Sequence, residues 1–344
     1  MGNPAHACAK PRLALTLGDC AGIGPELALR ALADPGLFDS CQLIVYGNAD
    51  ILRRVASSSG IPFPTDAVII ARDQECAPPL PEDRHVILDF PFEEAVSIRP
   101  GQVQAACGRQ AHEWICAAVR DIQGGRADAL VTAPINKEAL HAAGIDFPGH
   151  TELLAHLTGG AVPCMAFHSE RLFLSLATIH EAIHDVPRLL TVPSLLHTIR
   201  LTSAACGRFS DNPNPHIGVL ALNPHAGENG LFGQEERDVI TPAIEAARSE
   251  GFRVSGPLVP DTAFTWILTG APSTFDGYVA MYHDQGLIPF KMIAFDTGVN
   301  VTLGLPVIRT SPDHGTAFDL AWKGRASPTS LTCAIRLAAR LTSV

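Results

Sequence analysis

The chain has 344 residues, of which 47% are hydrophobic and 17% charged, so it can bury a sizeable core and is not disordered in its main state. It carries 35 acidic residues against 25 lysines and arginines, a formal net charge of −10, which excludes a general nucleic-acid or anionic-membrane binder. At roughly 150 residues per domain the length predicts two domains. Any anionic ligand must be held by local cations, helix N-termini or a metal ion.

The termini and the cysteines predict a cytoplasmic protein. No run of 18 apolar residues predicts a membrane span, and Met1 to Pro11 lacks the apolar core of a secretory signal. The nine cysteines form no CxxC pair, which is typical of reduced, buried thiols.

Apolar runs alternate with helical patterns along the whole chain. Strands are predicted at 12–17, 42–46, 129–132, 173–178, 217–222 and 278–281, and short apolar runs lie at 68–71 and 85–88. Helices are predicted at 25–33, from about Ala49, at 105–122, 194–205, 235–249 and 328–341, and Asn136 can cap a short helix. This alternation predicts an α/β fold with largely parallel sheets. Neither a repeat nor a linker marks the domain boundary.

The segment from Gly22 to Leu27 follows a predicted strand and opens a helix. It half-matches the dinucleotide fingerprint G-x-G-x-x-G, but Leu27 stands where glycine or alanine is needed for close packing. Pro25 suits the first helical turn. A tight strand-to-helix turn explains both glycines without any cofactor.

Three histidines follow predicted strands: His180, His225 and His283. The carboxyl ends of parallel strands meet at one edge of a sheet, and three imidazoles there would suit Zn²⁺ or a similar divalent ion. Because the three are far apart in sequence, ordinary polar core or surface positions remain the alternative.

Two further stretches contain residues suited to anion binding. In Pro148 to Leu154, Thr151 is predicted to cap a helix whose free amides attract anions, and His150 could add a hydrogen bond; an ordinary capped turn is the alternative. In His283 to Pro328, Lys291, Asn300 and Arg309 follow a candidate metal ligand at a nine-residue pitch. Solvated loops explain the many glycines, histidines and aspartates of that stretch poorly.

Seven blocks occur in the order found in the 4-hydroxythreonine-4-phosphate dehydrogenase family, and the chain resembles a full-length member over about residues 12 to 342. The blocks are Gly18–Glu26, Thr132–Lys137, Gly149–Glu152, Leu222–Gly227, Gly256–Thr262, Met281–Gly286 and Gly298–His314.

The resemblance implies two α/β/α domains with a cleft between them, similar to isocitrate and isopropylmalate dehydrogenases and not a Rossmann fold. The expected domains are 1–136 with 305–344 on the cofactor side, and 137–304 for metal, substrate and dimerisation. The segment from His314 to Pro328 is similar to the cofactor loop of those enzymes, although Trp322 stands where glycine is usual.

The resemblance also implies roles for individual residues. His180, His225 and His283 would ligate a divalent metal, zinc by the imidazole donor set, with magnesium, manganese or cobalt as alternatives. The implied substrate contacts are His150, Thr151, Lys291, Asn300 and Arg309. The implied acidic residues near the site are Asp261 and Asp284, which we place with Lys291 among the catalytic candidates. The implied NAD or NADP contacts are His314, Gly315, Thr316 and Asp319. The family builds each site at a homodimer interface.

These roles imply metal-dependent, NAD(P)-linked oxidation of a small phosphorylated hydroxy acid, with decarboxylation. The expected substrate is 4-(phosphooxy)-threonine, and 4-phospho-threonate or 4-phospho-erythronate is the alternative. A terephthalate cis-dihydrodiol dehydrogenase resembles the segment from His180 to His184, but that branch lacks the pair His150 and Thr151. A metallohydrolase would not need the segment from Gly315 to Pro328, and the retained histidines disfavour a non-catalytic binding protein.

Overall fold

The computed structural model describes residues 10–72, 79–160, 162–210 and 212–342. Contacts divide the chain into a first unit, Met1–Gly160 with Pro306–Val344, and a second unit, Ala161–Leu305. The domain ranges expected from the family resemblance stay a prediction. Among the described residues, no helix combines the length and hydrophobicity needed to cross a membrane.

The strands of the described residues are β1 (Arg12–Thr16), β2 (Gln42–Gly47), β3 (Val68–Ala71), β4 (Val86–Asp89), β5 (Ala129–Thr132), β6 (Cys164–His168), β7 (Phe173–Leu176), β8 (His216–Leu220), β9 (Arg253–Leu258), β10 (Gly277–Ala280), β11 (Val299–Leu303) and β12 (Arg309–Pro312).

The helices are α1 (Gly24–Leu32), α2 (Pro35–Ser40), α3 (Ala49–Ser59), α4 (Ala105–Gln123), α5 (Lys137–Ala142), α6 (His150–Leu157), α7 (Val186–Leu189), α8 (Val192–Ser210), α9 (Thr241–Ser249), α10 (Trp266–Thr269), α11 (His283–Ala294) and α12 (Thr329–Thr342). Shorter helical turns span Glu93–Ser97, Pro224–Gly230 and Glu236–Ile240. The predicted α/β class is confirmed.

The first unit contains parallel strands in the order β3-β4-β2-β1-β5-β12. Leu13, Ala14 and Leu15 are fully buried on the central strand β1. A run that is apolar on both faces is expected where helices cover both sides of a parallel sheet. Helix α4 packs on β1, β2 and β5, and α12 packs on β5 and β12.

The second unit contains strands in the order β11-β6-β7-β10-β8-β9. From β7 to β9 neighbouring strands are parallel, as predicted, but β6 pairs antiparallel with both β7 and β11. The antiparallel part was not predicted. A tight turn joins β6 to β7, in which the Ser169 amide donates to the Leu172 carbonyl at 3.0 Å, so these two strands form a hairpin rather than a crossover.

Alternate residues of β10 pack on opposite faces of that sheet. Val279 belongs to a cluster with residues of α8 and α9, whereas Tyr278 and Ala280 belong to a cluster with residues of α11. This is the period of two expected of a strand covered on both faces. The chain beyond Ala280 is therefore anchored by two cores.

Close backbone packing accounts for the glycines between Gly22 and Leu27. A Cβ on Gly22 would lie 2.9 Å from the Thr316 carbonyl oxygen, and one on Gly24 would overlap the Leu17 carbonyl oxygen. Helix α1 begins at Gly24, with Pro25 in its first turn. The geometry is the tight strand-to-helix turn given above as the alternative to a dinucleotide loop.

The turn after β1 also buries a carboxyl group. The Asp19 side chain accepts from the Ala21 amide at 2.8 Å, and the neighbouring Cys20 and Cys107 sulfur atoms are 3.4 Å apart. Burial raises the pKa of Asp19 to about 6, although hydrogen bonds from Ala21 and Cys107 partly oppose this. The seven described cysteines are free thiols; Cys8, Cys76 and most of the segment from Met1 to Pro11 lie outside the described residues.

The Gly24→Ala variant tests the packing of the strand-to-helix turn. Because the new methyl group would meet rigid backbone, we expect a loss of about 3 kcal/mol of stability, the upper end for overpacked sites. Gly315→Ala is the control, since no atom lies within 4 Å of its Cβ position. Urea unfolding of the two variants provides the comparison, and equal midpoints would contradict the packing account.

The Asp19→Asn variant tests the buried carboxyl group. A folded pKa of about 6 against 3.8 unfolded means that ionisation destabilises the fold as the pH rises through this range. Asparagine keeps an acceptor for Ala21 and cannot ionise. Its stability relative to wild type should therefore improve by on the order of 2 kcal/mol between pH 4.5 and 7.5, measured by urea unfolding. A pH-independent difference between the two proteins would refute the assignment.

Candidate active site

The predicted site residues are divided between the two units. The first unit holds His150, Thr151, Arg309, His314, Gly315, Thr316 and Asp319; the second holds His180, His225, Asp261, His283, Asp284, Lys291 and Asn300. Each set is therefore described within its own unit.

The three candidate metal-ligating histidines follow neighbouring parallel strands. His180 follows β7, His283 follows β10 and His225 follows β8, and these strands are adjacent in the order β7-β10-β8. The carboxyl ends of adjacent parallel strands lie at one edge of the sheet, where ligands bind in α/β folds. The ring centroids of His180 and His283 are 5.8 Å apart.

Two side chains that sequence analysis missed connect these strand ends. The Thr178 hydroxyl donates to the Met281 carbonyl at 2.7 Å, which connects the end of β7 to the end of β10. Gln285 accepts from the Met281 amide and donates to the Ala221 carbonyl, both at 2.7 Å, which connects β10 to β8. Gln285 lies in the block Met281–Gly286, so its position was visible, but its partners depend on strand order.

His225 lies in a left-handed turn that sequence analysis also missed. The φ angles of residues 225 to 229 are 53°, 53°, 78°, 43° and 55°. This conformation costs about 1–2 kcal/mol for each non-glycine residue, and such strain is characteristic of functional sites. Gly227, Asn229 and Gly230 were the available signals, because glycine and asparagine tolerate positive φ best.

The donor set of the three histidines suits a divalent metal ion. Their side chains are exposed or half-buried at one sheet edge, and three imidazoles are a common ligand set for zinc. Their nitrogen atoms do not converge within one chain: in the described part of the molecule, only Asp19, Cys20 and Cys107 bring three potential ligand atoms within 4.8 Å of one another. The metal role of the histidines stays a prediction.

The other candidates of the second unit lie on three elements. Lys291 is on α11, eight residues after His283, and its Nζ lies 6.0 Å from the Phe295 ring centroid. Asn300 is on β11. Asp284 is exposed, and its carboxylate accepts a hydrogen bond from His283 Nδ1 at 2.7 Å. Asp261 is exposed between β9 and α10.

Arg309 is the central cation of the first unit's candidate anion site. It is 4% exposed on β12, and its guanidinium donates to the Thr132 hydroxyl at 2.8 and 3.2 Å. Burial lowers the pKa of Arg309 to about 10, and Glu152 acts in the opposite direction. The guanidinium remains protonated at neutral pH. Thr132, which orients the guanidinium, begins the block Thr132–Lys137, but the sequence did not predict a role for it.

His150 and Thr151 lie at the start of α6. The N-cap of the helix is Gly149 and its first residue is His150, so the prediction of Thr151 as the N-cap is wrong. Within the described ranges, no side chain caps the backbone amides of the first turn. Thr151 is buried, and His150 Nε2 is buried with no hydrogen-bond partner among the described residues. Burial and the positive charge of Arg309 lower the pKa of His150, which favours the neutral imidazole.

The segment resembling a cofactor loop has an open face. His314 Nε2 is buried without a partner in the described structure, and a Cβ on Gly315 would meet nothing within 4 Å. The Thr316 carbonyl accepts from Ile23 at 3.1 Å, and that of Asp319 accepts from Lys323 Nζ at 2.6 Å. His314 Nδ1 donates to the Gly315 carbonyl at 3.1 Å, so Nε2 of the neutral imidazole is an acceptor that suits a ligand with O–H or N–H donors, such as the ribose hydroxyls of a dinucleotide.

Trp322 occupies a glycine-like backbone position with an inward side chain. Its φ is 62°, which explains why glycine is usual there. The indole is 5% exposed and donates to the Cys20 carbonyl at 3.0 Å, and the Arg54 guanidinium lies 4.9 Å from its centroid. The tryptophan therefore packs inside the first unit.

Comparison with known proteins places these features in a family. A model of the family described as pyridoxal phosphate biosynthetic protein PdxA matches residues 39–338. A 4-hydroxythreonine-4-phosphate dehydrogenase from Geobacter metallireducens is 46% identical over 340 residues, covering 97% of this chain and 96% of that protein. A D-threonate 4-phosphate dehydrogenase from Pectobacterium atrosepticum is 40% identical, covering 96% of this chain and 98% of that protein.

A solved structure is also similar over the whole fold. The 4-hydroxythreonine-4-phosphate dehydrogenase from Klebsiella pneumoniae superposes with a TM-score of 0.83 at 40% identity, covering 97% of this chain and 100% of that one. The family resemblance and the dehydrogenase class are thereby confirmed. The chain belongs to the PdxA family.

Proposed function

We propose that the chain oxidises a small phosphorylated hydroxy acid, 4-(phosphooxy)-threonine, with NAD(P)⁺ as oxidant and with decarboxylation of the product. The observation that carries this proposal is the buried Arg309 guanidinium, whose charge acts on His150 at the start of α6, next to the buried Thr151. A guanidinium fork and free amides at a helix N-terminus are the groups that bind phosphate or carboxylate. The homologues named for phosphorylated substrates support the same chemistry.

The proposed mechanism assigns a task to each residue. A divalent ion held by His180, His225 and His283 would supply Lewis acidity toward the substrate hydroxyl, and NAD(P)⁺ would supply the hydride acceptor. Arg309 holds an anionic group of the substrate, with Thr132 fixing the guanidinium plane. Lys291 and Asn300 bind substrate oxygens, and Lys291 is our candidate for proton transfer or charge stabilisation. Asp284 orients His283 through their 2.7 Å contact, and Asp261 is the remaining acidic candidate.

The alternative activities differ in which residues of the first unit they would use. Oxidation of 4-phospho-threonate or 4-phospho-erythronate uses the same anion site, and the relative from Pectobacterium atrosepticum bears a name of that type. A dihydrodiol substrate has no phosphate for His150 and Thr151. A metallohydrolase has no use for His314, Gly315, Thr316 and Asp319, our proposed contacts to NAD or NADP. Zinc, magnesium, manganese and cobalt remain candidate ions.

The finer fold assignment belongs to the same proposal. An isocitrate dehydrogenase-like architecture is supported by a first α/β unit that contains both ends of the chain and a second unit that is one continuous segment. The proposed functional domains are 1–136 with 305–344, and 137–304.

We also propose a homodimer that uses the exposed face of α11. Ile288, Met292 and Phe295 are 62%, 75% and 72% exposed and recur at the spacing of one helical face. An exposed apolar helix face of this kind marks a protein interface. The same helix carries His283 and Lys291, so a second copy bound there would lie next to the candidate site, where its side chains could complete the ligand set.

The Thr151→Val variant tests the phosphate site. For 4-(phosphooxy)-threonine, 4-phospho-threonate and 4-phospho-erythronate, we expect kcat/KM to fall about 10- to 100-fold, the value of a hydrogen bond to a charged group. A carboxylated cis-dihydrodiol should be unaffected. The control is Thr158→Val at the other end of α6, whose hydroxyl bonds Leu154. The rates are measured by NAD(P)H absorbance. If the wild-type enzyme oxidised the dihydrodiol but none of the phosphorylated substrates, the proposed substrate class would be overturned.

The Met292→Glu variant tests the proposed interface. Wild type should sediment at twice the mass of one chain, and a carboxylate in the centre of the apolar face should produce single chains, since burying an unpaired charge is costly. Val96→Glu, at a residue 76% exposed in the first unit, should remain dimeric. A dimeric Met292→Glu protein, or a monomeric wild type, would exclude this interface.

A further inference from the structure

One buried carboxylate binds the backbone that leads to His225. Glu236 is 6% exposed. Its Oε1 accepts from the amides of Leu222 and Asn223 at 2.9 and 2.7 Å, and its Oε2 accepts from the Asn223 side-chain amide at 2.9 Å. Three donors from the two residues that lead to Pro224 and His225 thus converge on a single side chain.

The same carboxylate also lies against the turn that follows His225. A Cβ on Gly227 would approach Glu236 Oε2 to 2.6 Å, so the glycine allows the left-handed turn to pass directly over the carboxylate. Gly227 is buried, whereas His225 itself is exposed. The direction of the His225 imidazole is consequently set by its backbone, which is bonded to Glu236 at residues 222 and 223 and packs closely against it at Gly227.

A second acidic residue supports the arrangement without replacing it. The Asn223 side-chain amide also donates to Glu235 Oε2 at 2.7 Å, so both of its N–H groups are bonded to carboxylates. Glu235, however, receives none of the backbone bonds of Leu222 and Asn223. Glu236 is the residue whose removal would break the bonds that hold the backbone before His225.

We propose that Glu236, together with Asn223, is a positioning residue that presents His225 to the divalent metal ion. This rests on the proposed function, in which His225 is a metal ligand. Glu236 acts through the backbone of the left-handed turn and does not itself contact the ion. Outer groups that orient metal ligands typically change metal affinity by about 10- to 100-fold when they are removed.

The test is a Co²⁺ titration of the purified full chain, followed by the visible absorption of the bound ion. Glu236→Gln keeps an acceptor for the two backbone amides but turns a donor toward the Asn223 amide, so we expect affinity to fall about 10-fold. Glu236→Ala removes all three bonds and should lose more, up to about 100-fold. The absorption band should also change shape, because the coordination geometry is altered.

A matched control separates positioning from a loss of stability. Ile240 is fully buried at the other end of the short helical turn Glu236–Ile240, and Ile240→Val weakens packing without removing a bond to Glu236. We expect it to retain wild-type Co²⁺ affinity within twofold, even where its melting temperature matches that of Glu236→Gln. Equal affinity losses in the two variants, or an unchanged affinity in Glu236→Gln, would overturn the inference.

His225→Ala distinguishes failure of the inference from failure of the proposed function. If wild type binds Co²⁺ and His225→Ala does not, the metal role stands, and the Glu236 variants alone decide the positioning role. If wild type binds no Co²⁺, or His225→Ala binds it normally, both the metal role of His225 and the role of Glu236 are overturned.

Discussion

The parallel pairing of β7, β10 and β8 is the constraint on which the candidate metal site depends. It brings together three chain segments that are about fifty residues apart and sends each of them out of the sheet at the same edge. Hydrogen bonds from Thr178 and Gln285 continue the pairing past the ends of the ladders. The loops that carry the three histidines therefore begin at strand ends whose relative positions are fixed by the sheet.

The distribution of charge in this molecule differs from its net charge, because a buried cation lies within an acidic protein. A net charge of −10 would repel a phosphorylated acid from a uniform surface, yet Arg309 is buried against the Thr132 hydroxyl in the first unit's candidate anion site. Burial removes water from the guanidinium, which raises the free-energy cost of its charge. Burial also strengthens the attraction of that charge for an anion, because less water screens it. The neutral His150 beside it adds a hydrogen-bonding nitrogen without adding like-charge repulsion.

Prediction from the sequence was accurate where one local rule dominated. The strands at 12–17 and 42–46 were found because their residues are apolar on both faces. Asn136 was predicted as a cap because asparagine favours that position, and its side chain does accept from the Ala139 amide. Strand β6 was missed because Cys164–His168 contains none of the β-branched residues that favour a strand. Thr151 was misplaced by two residues, because Gly149 adopts the extended cap conformation that Thr151 was expected to take.

The sequence by itself determined the α/β class and the family and supplied the candidate site residues, since these follow from local periodicity and from blocks of adjacent residues. Tertiary structure decided the rest. Which strands neighbour one another, how Glu236 holds the turn of His225, and where the Trp322 indole packs all depend on contacts between residues far apart in the chain. Hydrogen bonding and close packing select those contacts only when the whole fold is assembled, so no local pattern specifies them.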